Sequence, residues 1–265
     1  MFFVTKNILS FDVTTTISFL PIIETSQTQN IIRMKTKVFN LIILDESGSM
    51  SCIERQALNG LNETLQTIRM AQDKFPEQEQ LVSIVPFETG NIRLLRDKVS
   101  IKEVNDLRPE EYNPCGGTPL YDAIGFGISS IRKAVTDDDS VIVTIITDGE
   151  ENSSKEYRGK AIATIIDELK KKGWMFTYIG ANQDAVSVAM TINITNAMNF
   201  VQDDEGTKAM FEKERRSRER YFEANAMCCE METSDMAREA RIAMACNSNY
   251  FDDPDDNIGK KDKKS

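Results

Sequence analysis

Two segments of the chain, residues 37–44 and 141–146, are almost unbroken runs of Val, Ile, Leu and Phe. Such runs predict central strands covered on both faces, because a strand with one solvated face alternates apolar and polar positions instead. Between them, Ile53, Ala57, Leu61, Leu65 and Ile68 recur at helical spacing and predict an amphipathic helix over 53–73. Residues 81–87 read as the next strand. Residues 92–101 mix Leu94, Leu95 and Val99 with Arg93, Arg96, Asp97 and Lys98, the pattern of a half-exposed antiparallel edge strand reached through a turn at Thr89, Gly90 and Asn91.

Pro119 suits the first position of a helix running to about Ala134, and Tyr157, Ala161, Ile165 and Leu169 mark another. Residues 174–179 and 197–201 complete the strands. Strands alternating with helices predict an α/β fold, a doubly wound and mostly parallel open sheet of Rossmann-like type with one antiparallel edge strand, helices on both faces, and C-terminal helices beyond it. The expected organisation is a poorly ordered extension over 1–36, a core domain over 37–201, a helical extension over 202–250 and a disordered charged tail over 251–265. In the helical extension, the mixed charges of residues 212–220 predict a solvated helix laced by i, i+4 pairs. Met227, Met231, Met236 and Met244, with Ala237, Ala240 and Ala245, predict a terminal helix packed on the domain.

Composition narrows the chemistry. The 265 residues include no histidine, which removes imidazole general-base catalysis, serine-histidine triads and histidine zinc sites. With 42 acidic against 32 basic residues the net charge is −10, which argues against nucleic acid and anionic membrane surfaces as partners. The five cysteines form no Cys-x-x-Cys pair, and their odd number fits a reducing compartment, so a cytoplasmic location is expected. No segment approaches the ~20 largely apolar residues of a membrane span. Residues 8–23 are apolar, but Asp12 and several hydroxyl residues interrupt them, so no secretion leader is expected there.

The candidate chemistry lies where the strands end. Directly after the first central strand come Asp45, Glu46, Ser47, Gly48 and Ser49. Asp45, Ser47 and Ser49 are two residues apart, so in an extended segment they project to one side. Oxygen donors without sulfur or imidazole suit Mg2+ or Mn2+, which take near-octahedral oxygen coordination and keep several waters. Two further oxygen clusters follow strands or precede helices at the same rim: Thr118 after Gly116 and Gly117, and Asp148 followed by Gly149 and Glu150. Taken singly, each is also a helix cap or a turn.

Together, Asp45-x-Ser47-x-Ser49, Thr118 within Gly-Gly-Thr-Pro-Leu, and Asp148-Gly149 resemble the metal-ion-dependent adhesion site of a von Willebrand factor A domain over residues 37–201. The resemblance implies that Ser47, Ser49 and Thr118 bind the cation directly, that Asp45 and Asp148 act directly or through water, and that a partner's Asp or Glu completes the coordination. It also supplies a strand order that sets the strand ending at Asp45 beside the one ending at Asp148. Gly117, Glu150, Asn182 and Asp184 are candidates for the partner-binding rim. The expected function is cation-dependent protein binding within an intracellular assembly, not catalysis. The alternatives are a Mg2+-dependent phosphotransfer enzyme with Asp45 as nucleophile, opposed by Ser47 where such enzymes carry an acid, and a domain whose metal only stabilises the fold.

Overall fold

The computed structural model describes residues 36–252, apart from positions 149, 182–184, 202 and 232. Seven strands form one sheet: β1 (Thr36–Asp45), β2 (Gln78–Glu88), β3 (Asn91–Ile92), β4 (Arg96–Ser100), β5 (Ser140–Thr147), β6 (Trp174–Ala181) and β7 (Asn196–Phe200). Their order is β3-β2-β1-β5-β6-β7, with β4 also paired to β2; β3 and β4 run antiparallel and every other pairing is parallel. Among the described residues six α-helices accompany them: α1 (Glu54–Lys74), α2 (Leu120–Arg132), α3 (Gly159–Lys170), α4 (Ala185–Thr191), α5 (Asp204–Cys229) and α6 (Ser234–Cys246).

The alternation along β1 explains the two-faced core. Val38, Ile42 and Leu44 face a cluster filled by α1 and α5, through Leu61, Leu65, Phe211 and Phe222. Phe39, Leu41 and Ile43 face a second cluster filled by α2, α3 and α4, through Ile124, Ile128, Ile166 and Ala189. Both faces of β1 and β5 are therefore dry, which is why their sequences lack polar alternation. From β1 the chain crosses to β2 on one side, while β5 joins β1 on the other. Connections diverge at that point and leave a crevice at the carboxyl ends of β1 and β5, the place where open α/β sheets bind ligands.

Several expectations change on contact with the structure. The edge segment 92–101 is two short strands separated by residues 93–95, and β4 is itself irregular: Lys98 sits at φ 53° with its N–H on the Ser83 hydroxyl at 2.9 Å, and the pairing with β2 shifts between Val82 and Ile84. On α3 the buried residues are Ile162, Ile166 and Leu169, whereas Ala161 is exposed and Ile165 only partly covered. That helix starts at Gly159; Tyr157 lies in the preceding loop, its ring over Gly125 of α2, where an added Cβ would fall 2.4 Å away.

The charge run of residues 212–220 is not a solvated face. Glu214 and Arg218 are completely buried against the sheet; Arg218 donates to Glu214 Oε1 at 2.7 Å, Asn40 Oδ1 at 3.1 Å and Thr144 Oγ1 at 2.7 Å. Only the opposite side of the helix, with Arg215 between Glu212 and Glu219, has the expected exposed character. Met227 and Met236 are exposed, and α5 packs instead through Met210, Phe211, Tyr221 and Phe222. Phe251, assigned to the disordered tail, is buried edge-on against Tyr250. The expectations for 1–35 and 253–265 lie outside the described residues.

Candidate metal centre

Asp45 is the last residue of β1, and the strand register fixes its neighbours. Leu44 pairs with Ile146, so Asp45 stands beside Thr147, whose hydroxyl donates to Asp45 Oδ2 at 2.5 Å. The other carboxylate oxygen accepts the Ser47 N–H at 2.7 Å, and the Asp45 carbonyl accepts the Tyr112 hydroxyl at 2.8 Å. Burial pushes the Asp45 carboxyl up to about 6, against these hydrogen bonds and with a smaller upward push from Asp148.

After Ser47 the chain enters a 3-10 turn over Gly48–Ile53. That turn brings Ser47 Oγ and Ser49 Oγ to 3.2 Å, and Ser49 donates to Asp148 Oδ1 at 2.7 Å. Ser47 and Asp148 are buried while Ser49 is exposed, so the cluster opens to solvent at Ser49. The Thr118 loop is tied on by its backbone. Gly48 N–H donates to the Gly116 carbonyl at 3.1 Å, and Cys115 N–H donates to the Glu46 carbonyl at 2.7 Å. Gly116 has φ 69° and an added Cβ would lie 2.5 Å from Glu88 Oε2, which is why glycine occupies that position.

Asn152 holds Thr118 on both backbone groups, its side-chain oxygen accepting the Thr118 N–H at 2.8 Å and its own backbone N–H donating to the Thr118 carbonyl at 3.1 Å. The loop carrying Asn152 is in turn fixed to the start of α2. Glu151 accepts the Tyr121 N–H at 3.0 Å, and Asp122 accepts the N–H groups of Lys155, Glu156 and Tyr157 at 2.7–3.0 Å.

Asp45, Ser47, Ser49 and Asp148 are thus linked by direct hydrogen bonds, and Thr118, itself buried, lies two residues beyond the Gly48–Gly116 contact. Of the rim candidates, Glu150 is exposed. Gly117 is bound into the scaffold, its N–H on the Thr89 hydroxyl at 3.0 Å and its carbonyl receiving the Thr89 N–H at 3.1 Å. Asn182 and Asp184 lie outside the described residues. The donors are all oxygen, two carboxylates and the hydroxyls beside them, which fits a hard dication. Among the described residues no three carboxylate, thiol or imidazole side chains group as metal ligands, so a cation held here would depend on Ser47, Ser49 and Thr118.

No protein-family model matches the chain. Over 173 residues it is 27% identical to calcium-activated chloride channel regulator 4 from Homo sapiens; the match takes in 62% of the chain and 17% of that protein, so the chain spans only a small part of this curated relative. Among solved structures, the vWF domain of the type V pili tip protein Mfa5 from Porphyromonas gingivalis is similar with a TM-score of 0.51 at 8% identity, covering 71% of the chain and 97% of that domain. The fold is that of a von Willebrand factor A-like domain. The pilus adhesin SpaC from Lactobacillus rhamnosus GG, in its open conformation, has the same fold with a TM-score of 0.57 at 12% identity, over 71% of the chain and 30% of SpaC.

Within this A-like fold three supporting residues escape a motif-based reading. Glu46, between Asp45 and Ser47, is buried and forms a two-point ion pair with Arg93, whose guanidinium also reaches the Glu111 carbonyl at 3.1 Å. Glu46 further accepts the Asn113 N–H at 3.0 Å, so one side chain joins the serine loop, the edge hairpin and the segment leading to Thr118. Tyr112 supports Asp45 from below, and burial pushes its hydroxyl well up, keeping it a donor. The sequence signal for this group is faint: a charge next to Asp45 and one of two Arg residues in the edge segment.

Proposed function

We propose that the chain is a protein-binding module that captures an Asp or Glu side chain of a partner through Mg2+ or Mn2+ held by Ser47, Ser49 and Thr118, with Asp45 and Asp148 ordering the site, in a cytoplasmic assembly. The observation that carries this reading is the Ser49 hydroxyl, which contacts both Ser47 and Asp148 at the exposed mouth of an otherwise buried oxygen cluster. A bound dication supplies an open Lewis-acidic position there. The residues that would hold it are themselves braced: Tyr112 and Thr147 hold Asp45, Asn152 holds Thr118, and the Gly48–Gly116 contact joins the two loops.

A binding role is supported by the fold neighbours, which are named as a pilus adhesin and a pilus tip protein. A phosphotransfer role is disfavoured by Asp45 itself. It is fully buried and both its oxygens are engaged, so a phosphoryl group has no approach to it. The test is partner capture from a cell extract with Mg2+ and with chelator, using the parent chain, Ser47→Ala and Asp148→Ala, with circular dichroism to verify folding. Capture that requires Mg2+ and is lost in both folded variants supports the proposal. Capture indifferent to chelator overturns it, and thermal stabilisation by Mg2+ without cation-dependent capture assigns the site a stabilising role only.

A further inference from the structure

The mouth of the metal centre carries carboxylates that the oxygen cluster itself does not use. Glu88 is the last residue of β2, and the hairpin it opens lies over the Thr118 loop, with the Thr89 N–H on the Gly117 carbonyl at 3.1 Å and the Gly117 N–H on the Thr89 hydroxyl at 3.0 Å. That contact lays the Glu88 carboxylate against Gly116, where an added Cβ would fall 2.5 Å from its Oε2. The Gly116 carbonyl in turn accepts the N–H of Gly48, which stands between Ser47 and Ser49. Gly116 and Ser49 are exposed and Glu88 is partly so, and the carboxylate therefore borders the opening of the cluster. On the other side Glu150, two residues beyond Asp148, is exposed.

The neighbouring carboxylates have their charge answered within the chain. Glu46 is paired with Arg93 and Glu111 with Arg96, and Glu151 accepts the N–H groups of Tyr121, Ser153 and Ser154. Glu88 and Glu150 differ: among the described residues they form no ion pair. Arg93, in the segment that follows the same hairpin, is held by Glu46 and by the Glu111 carbonyl, and Glu88 acts on it only as a weaker charge. A dication in the cluster is balanced by Asp45 and Asp148. A ligand carboxylate that reaches it adds negative charge to a mouth already carrying Glu88 and Glu150, and this repulsion is relieved when the ligand brings positive charge alongside.

We propose that Glu88, with Glu150, selects partners whose anchoring Asp or Glu is flanked by Lys or Arg. The inference deepens the function proposed above and rests on it: the cation supplies the anchor, and the two carboxylates read the charge beside that anchor.

The probes are three blocked peptides titrated into the full chain by calorimetry at low salt with Mg2+: acetyl-Lys-Ala-Asp-Ala-Lys-amide, acetyl-Ser-Ala-Asp-Ala-Ser-amide and acetyl-Lys-Ala-Asn-Ala-Lys-amide. The Lys-flanked Asp peptide is expected to bind about fivefold tighter than the Ser-flanked one, the size that two exposed ion pairs supply, and the Asn peptide is expected not to bind. Glu88→Gln preserves the size of the side chain and Glu150 is exposed, so both variants fold. Glu88→Gln is expected to cut the preference to about twofold, and Glu88→Gln with Glu150→Gln to remove it, while the Mg2+ dissociation constant changes by less than about twofold. Equal affinity of the two Asp peptides for the parent chain, a preference that survives in the double variant, or a fall in Mg2+ affinity that matches the fall in peptide affinity overturns this inference alone. Binding of the Asp peptides that is absent, indifferent to chelator or matched by the Asn peptide overturns the carboxylate anchor itself, and the inference with it.

Discussion

Replacing Arg218 by Met is expected to cost about 3–5 kcal/mol of folding stability, because it strands the Glu214 carboxylate in a dry interface. Arg218 and Glu214 are both buried, and the guanidinium makes hydrogen bonds to Glu214, Asn40 and Thr144 at 2.7–3.1 Å. Glu214 Oε2 already lacks a partner, so losing Arg218 leaves the whole carboxylate without one. Glu214→Met is expected to cost a similar amount, at the lower end, since Arg218 keeps Asn40 and Thr144. The double variant removes both charges. Thr144 then still receives the Thr177 hydroxyl at 3.0 Å, and Asn40 still donates to Gln80 and Leu81, so the remaining loss is about 0–2 kcal/mol. The singles therefore sum to about 6–8 kcal/mol while the double stays near the parent, a coupling large enough to read in urea unfolding followed by circular dichroism. Losses that simply add, or an Arg218→Met chain within about 1 kcal/mol of the parent, would refute the argument that charge desolvation governs this interface.

Three further outcomes follow from the same geometry. Mg2+ at a hundredfold excess over its dissociation constant should stabilise the chain by about 2.7 kcal/mol, and Ser49→Ala should abolish the shift; a melting curve with and without chelator decides this. Asn152→Ala removes the side-chain acceptor of the Thr118 N–H while leaving the backbone bond to the Thr118 carbonyl, and is expected to weaken cation binding about tenfold by calorimetry while costing about 0.5–1.5 kcal/mol of stability; unchanged affinity would mean that Thr118 is positioned by other contacts. Gly60→Ala places a Cβ 2.0 Å from the Phe211 ring and should destabilise by about 1–3 kcal/mol, with Phe211→Leu in the same chain recovering part of the loss in urea midpoints.

The strands and α1 were legible because burial on two faces, or on one helical stripe, leaves a direct mark on residue type. The Glu214–Arg218 pair was not. An i, i+4 Glu–Arg pair reads the same whether its helix side meets water or a sheet; what distinguishes them is Asn40 and Thr144 on the opposing strands, and their partner is far away in sequence. The face of α3 was misread for a related reason: Ala161 with Ile165 and Ile162 with Ile166 both offer helical spacing, and the choice is made by where the helix starts, which Asp122 and Glu151 set from α2 and the preceding loop.

At the metal centre the legible part is the set of oxygen side chains, and the hidden part is what assembles them. The segments bearing Asp45, Thr118 and Asp148 come together through backbone contacts that carry no residue signature: Glu46 N–H to the Phe87 carbonyl, Gly48 to Gly116, Cys115 to Glu46, and Thr89 to Gly117. Side-chain tethers then lock the pieces, with Glu46 on Arg93 and Asn152 on Thr118. The tethers are unevenly distributed: the serine loop is held by the strand register, by Glu46 and by the Gly116 carbonyl, whereas Thr118 depends on Asn152 and the Thr89 contacts next to it. Loss of a tether on the threonine side therefore moves one donor and leaves Asp45, Ser47 and Ser49 in place, while loss of Glu46 from its ion pair loosens the serine loop and the segment leading to Thr118 together. That asymmetry separates the two supports experimentally: Asn152→Ala should weaken cation binding at a stability cost of about one hydrogen bond, and Glu46→Gln should weaken it with a larger loss of folding stability.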